Sequence, residues 1–191
     1  MPTPPALTET IGADRSAAWD RAQTYADFLP TANDNVGLWE KNYSRARIPQ
    51  DLADRAEAAL GTWRLLVLSE DWCGDAANTV PALAAFADAV PNLDLRLLAR
   101  DENLDLMDEH LTGTSRSIPV VMVLDADGVE RAWWGPRPVD LQAWVMGPGK
   151  EMETDDRYRE VRKWYARDHG RTTVAEIVER VEQAAGAGRV A

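Results

Sequence analysis

The chain has 191 residues, 45% of them apolar, and a formal charge of −11. That length buries one ordinary core without covalent staples, and a single cysteine excludes an intramolecular disulfide. The negative surface repels phosphate backbones and anionic lipid heads, so neither nucleic acid nor a membrane is expected as a partner. With no basic start leading into an apolar run and no segment of the ~20 apolar residues a span requires, the chain reads as cytoplasmic.

The first dozen residues are rich in Pro and Thr without an apolar period, which predicts a disordered N-terminus over 1–12. An N-terminal helical extension is expected over 13–50. Within it, Trp19, Ala22, Ala26 and Leu29 fall near helical spacing, which predicts one helix from Ser16 to Phe28, broken by Pro30. A second helix is expected from Val36 to about Arg45. Asp51 to Leu60 places Leu52, Ala56, Ala59 and Leu60 on one helical face, with Gly61 where a C-cap belongs.

The periodicity then changes. "WRLLVLS", Trp63 to Ser69, is a continuous apolar run, as expected of a strand buried on both faces. Ala76 to Val90 reads as a helix with Val80, Leu83, Ala84 and Ala87 inward and a kink at Pro81. Asn92 to Arg100 alternates as a strand, and Glu102 to Leu111 reads as a short helix. Pro119 to Gly135 predicts a hairpin around Asp-Ala-Asp-Gly. Helical patterns follow over 138–146, 155–168 and 172–184, the last opened by a capping box of Thr173 and Glu176. This order implies a three-layer α/β core with a central mixed sheet over 51–146, and a C-terminal helical extension over 147–191.

The one cysteine lies in "SEDWCGDAANTVP", Ser69 to Pro81, at the start of a predicted helix. Free N–H groups and the dipole there favour a thiolate, whereas Glu70, Asp71 and Asp75 disfavour another negative charge. Cys73 therefore reads either as a nucleophile or as a small residue tucked under the first turn. Asp75 reads either as an acid complementing the dipole or as a general base. His110 and His169 lack metal-ligand spacing to Cys73, so no metal site is expected.

A strand, then "WC", then a helix, and after a further βα unit an Ile-Pro before a hairpin: this order resembles the thioredoxin family over roughly Asp51 to Trp144. The runs Trp72–Ala76, Arg100–Asp108, Arg116–Pro119 and Trp134–Pro138 are similar to a bacterial subgroup of thioredoxin-like proteins. The resemblance implies a thioredoxin-like fold in which Cys73 is the attacking cysteine, Trp72 flanks it and Pro119 is a cis-proline facing it. Ile118 would present its backbone to an extended peptide, as a short strand addition does. Two departures stand out. Ala76 replaces the second, resolving cysteine, and Val67 replaces the buried acid six residues before the first.

The implied chemistry is monothiol thiol–disulfide exchange with protein or small-molecule thiols and disulfides. It needs no resident cofactor, and glutathione or another low-molecular-weight thiol serves as co-substrate. Arg116, three residues before Pro119, is a candidate substrate-binding residue, and the charge balance at Cys73 depends on whether it reaches the thiolate. Arg137, between two prolines, is expected either in a packed aromatic corner or in the crevice, receiving a carboxylate. The alternative function is a non-catalytic binding or scaffold module using the groove beside Pro119.

Overall fold

The computed structural model describes residues 11–187. Its strands are β1 (Gln23–Thr24), β2 (Trp63–Ser69), β3 (Leu93–Ala99), β4 (Val120–Leu124) and β5 (Glu130–Trp134), in the spatial order β1-β3-β2-β4-β5. β2 and β3 are parallel and every other pair is antiparallel. The central position of β2 explains its unbroken apolar run: Leu65, Leu66, Val67 and Leu68 have no exposed surface. Each buried leucine contributes about 1.5–3 kcal/mol.

The neighbouring tryptophans of β5 point to opposite faces, as strand alternation requires. Trp133 meets the His110 ring edge-on at 5.5 Å, whereas Trp134 donates from Nε1 to Glu176 Oε2 at 2.6 Å. The Trp133 face is also covered by Trp19, over which the Arg64 and Arg96 guanidinium groups lie at 5.4 and 4.7 Å.

The helices are α1 (Ser16–Arg21), α2 (Tyr25–Phe28), α3 (Val36–Ser44), α4 (Gln50–Ala58), α5 (Gly74–Ala89), α6 (Leu104–Asp108), α7 (Val139–Met146), α8 (Thr154–Asp168) and α9 (Arg171–Ala187). Pro81 lies inside α5, which continues past it. Among the described residues no helix is long and apolar enough to cross a membrane. The result is a mixed sheet between helices with helical extensions at both ends, as the resemblance implied.

Four local expectations are corrected. The single helix from Ser16 to Phe28 is two, because Gln23 and Thr24 extend and pair with Leu97 and Arg96. An open sheet edge offers unpaired backbone groups that compete with helix continuation. In α4 the last turn opens at Ala59, leaving Leu60 66% exposed, and Gly61 lies beyond the cap. The helix expected over Glu102–Leu111 is confined to α6, preceded by a 3₁₀ turn at Arg100–Glu102. Thr173 and Glu176 form no capping box. α9 already begins at Arg171, and the Glu176 carboxylate instead accepts from Trp134 and from the Val139 amide at 2.9 Å.

Of the expected disordered stretch, residues 1–10 lie outside the described residues. Gly12 is ordered: its amide donates to the Glu130 carbonyl at 2.8 Å. The Glu130 amide donates to Ala13 O at 2.9 Å, and the Arg15 amide to Gly128 O at 2.8 Å. This segment runs along the outer margin of β5. It also delivers Arg15, whose Nε donates to Glu130 Oε2 at 2.8 Å. Glu130 Oε1 lies 2.8 Å from His110 Nε2, and His110 Nδ1 faces Leu106 O at 2.7 Å. Glu130 and His110 have no exposed surface. A buried carboxylate needs such partners on both oxygens.

Candidate functional site

Beyond Ser69 the chain turns so that the Cys73 amide donates to Glu70 O at 3.2 Å, and Cys73 becomes the N-cap residue of α5. This turn is fastened by the N-terminal extension. Asn33 and Asp34 amides donate to Asp71 Oδ2 at 2.7 and 3.2 Å, while Asn35 Nδ2 and Trp39 Nε1 donate to Asp71 O, both at 3.0 Å. Those backbone donors, Asn33 first, hold the Asp71 carboxyl below the usual range. Glu70 behaves oppositely: burial pushes its carboxyl up, and it accepts from the Asp101 amide at 2.8 Å.

Cys73 is 8% exposed, and its thiol donates to Ile118 O at 3.4 Å. The Ile118–Pro119 peptide is cis. Burial pushes the thiol up, and the Asp75 charge adds to that. The Ala76 and Asp75 amides and the Arg137 guanidinium act against it without overcoming it. Val67 and Ala76, at the positions of the missing acid and the missing second cysteine, are fully buried.

Arg137 is brought here by the turn after β5. Gly135 has φ +143°, and a Cβ on it would stand 2.2 Å from Pro119 O, so the chain passes the cis-proline at a distance only glycine allows. The Gly135–Pro136 peptide is also cis. From there the Arg137 Nη2 reaches Asp75 Oδ2 at 2.5 Å and its Nη1 donates to Gln142 Oε1 at 2.9 Å. The other Asp75 oxygen accepts from the Tyr165 hydroxyl at 2.9 Å. Both oxygens of Asp75 are therefore engaged, and its carboxylate is directed at α8 and the β5–α7 turn. Burial and the Asp75 charge hold the Tyr165 hydroxyl in its protonated, donating form.

Arg116 is not part of this cluster. Its guanidinium grips Asp108 at the end of α6 through Nε and Nη2, at 2.6 and 2.7 Å, because a carboxylate eight residues away offers a matching fork. Its carbonyl accepts from Arg100 Nη1 at 2.9 Å, and the Arg100 guanidinium lies 5.1 Å above the Trp72 ring. Trp72, 48% exposed, is thereby braced to the loop that carries Ile118 and Pro119.

The sequence reading missed Tyr165 and the Asn33–Trp39 clamp. Tyr165 shares a helical stripe of α8 with Val161, four residues back, and Tyr158, seven back. That was the available signal. The clamp has none, because each of its bonds has a backbone group at one end and joins residues over 30 positions apart. Among the described residues no group of three or more His, Cys, Asp or Glu is arranged to hold a metal ion.

A family model described as thioredoxin matches residues 22–167. No curated protein matches the chain. Among solved structures, a Pseudomonas aeruginosa protein of unknown function aligns at 21% identity with a TM-score of 0.73, covering 90% of this chain and 99% of that one. An HIV epitope-scaffold aligns at 19% identity and a TM-score of 0.71, with the same coverage. At such identities the likeness is one of fold.

Proposed function

The chain belongs to the thioredoxin family, and from that premise we propose that it carries out monothiol thiol–disulfide exchange through Cys73. The observation that carries this reading is the seat of the sulfur. It lies between the first amides of α5 and the carbonyl of Ile118, beside the cis-proline. There the Cys73 thiolate attacks one sulfur of a mixed disulfide, forming a new S–S bond to Cys73 and expelling the partner thiolate. With Ala76 in place of a resolving cysteine, a second low-molecular-weight thiol attacks that bond, leaves as a symmetrical disulfide and regenerates the Cys73 thiolate. One disulfide is consumed and one formed, so electrons balance without a resident cofactor. The raised thiol makes the exchange slow at neutral pH and faster in alkali.

The second reading is a binding module using the groove beside Pro119. It is favoured by the burial of the thiol and by the engagement of Asp75 with Arg137 and Tyr165, which leaves no free base beside the sulfur. One experiment separates them. Purified chain and Cys73→Ser are assayed for reduction of a glutathione mixed disulfide with reduced glutathione as donor. Turnover by the parent and none by the variant supports exchange; equal rates for both leave the binding module.

A further inference from the structure

An open concavity of about 340 Å³ lies between α3, α5 and α8, with Tyr165 in its lining. Its lining contains Lys41 of α3, Arg45 at the C-terminal cap of that helix, Arg162 of α8 and His169, and not one carboxylate. None of the three cations forms an ion pair among the described residues, in a chain with 32 acidic against 21 basic residues. Lys41 and Arg45 are four residues apart at the C-terminal end of one helix, where like charges repel. Arg162 adds a third charge from the facing helix.

We propose that this concavity binds a small phosphate-bearing dianion. A phosphate group offers several acceptor oxygens and a double charge, which two guanidinium forks and an ammonium match better than they match a single carboxylate. The remaining space takes a sugar-sized remainder, since the volume lies near the lower end of small-molecule sites, roughly 300–1,000 Å³. The walls are held in place. Asn42 and Asn78 of the lining spend their amides on Ala77 O and Gly74 O, at 2.8 and 2.7 Å. The turn after α8 presses so closely on α5 that a Cβ on Gly170 would stand 2.5 Å from that of Ala82. An occupant joins the N-terminal extension to the C-terminal one, beside Tyr165. The site does not depend on the chemistry of Cys73.

The test is a calorimetric titration of the full chain at fixed ionic strength with inorganic phosphate, a hexose phosphate and succinate. The expected result is saturable binding of the two phosphate compounds, with succinate weaker. Lys41→Gln, Arg45→Gln and Arg162→Gln should each weaken binding by about tenfold, the loss of one charge-assisted contact. Cys73→Ser should bind as the parent does, which keeps this outcome separate from that of the exchange assay. The melting temperatures of the three unliganded variants should equal or exceed that of the parent, because a repulsion is removed. No saturable binding below ~10 mM, where affinity falls under about 3 kcal/mol, overturns the proposal. So does tighter binding of succinate, unchanged affinity in all three variants, or a clear drop in their unliganded melting temperatures.

Discussion

The Asn42 amide of α3 donates at 2.8 Å to the carbonyl of Ala77, the very carbonyl that Pro81 leaves without its partner four residues on. A proline in a helix interior normally orphans that oxygen. Here the N-terminal extension replaces the missing bond, which is why α5 runs on to Ala89. Asn42→Ala should destabilise the protein by about 1–3 kcal/mol, the cost of a buried unsatisfied acceptor. In a Pro81→Ala background the residue 81 amide can donate to Ala77, so the same change should cost less than half as much. Urea unfolding of the four proteins reads the coupling.

The charges around Cys73 fix the sign of their effects. Asp75→Asn removes a charge that adds to the raising of the thiol by burial while keeping Arg137, so iodoacetamide alkylation at neutral pH should quicken by roughly three- to tenfold. Arg137→Gln leaves Asp75 unopposed and should slow it. Because the folded thiol lies above its unfolded value, its contribution to stability is complete below the ordinary cysteine range and is lost as pH rises toward the folded value. Cys73→Ala should lack that alkaline loss in melting temperature recorded against pH.

The order of elements was legible because short apolar runs alternate with amphipathic stretches and the hairpin carries its own turn residues. Cys73 and the Ile118–Pro119 loop were expected together because the resemblance to the thioredoxin family implied that the two face each other. Gln23 and Thr24 were not foreseeable as a strand. Two residues have no period, and only the free margin of β3 extends them. The direction of Arg116 was also hidden, since it depends on which carboxylate a neighbouring loop brings nearest. Arg137 reached the cluster, but by way of Asp75 and not as a free anchor.

Glu130 ties Arg15 and His110 together without solvent. Glu130→Ala leaves Arg15 paired with Glu109 alone and deprives the buried His110 Nε2 of its partner, and should lower stability by about 1–3 kcal/mol. Glu130→Gln keeps an acceptor oxygen and should cost less. Chemical denaturation at neutral pH compares them.

Gly135 sets the distance between the β5–α7 turn and the cis-proline loop. Gly135→Ala combines a left-handed φ with a Cβ 2.2 Å from Pro119 O, so a loss of about 1–3 kcal/mol or more is expected. The displaced loop should also loosen its hold on the thiol. Faster alkylation of Cys73, alongside a lower melting temperature, is the measurement.

The strip Gly12–Arg15, bonded to Gly128 and Glu130 at the start of β5, and the two-residue strand paired with Leu97 and Arg96 at the opposite margin each cover one stretch of a sheet edge. At those stretches the backbone groups are already paired and offer another chain nothing on which to build. Edge-to-edge pairing with a second copy is thus hindered where these two segments lie, a safeguard supplied by the chain's own N-terminal part.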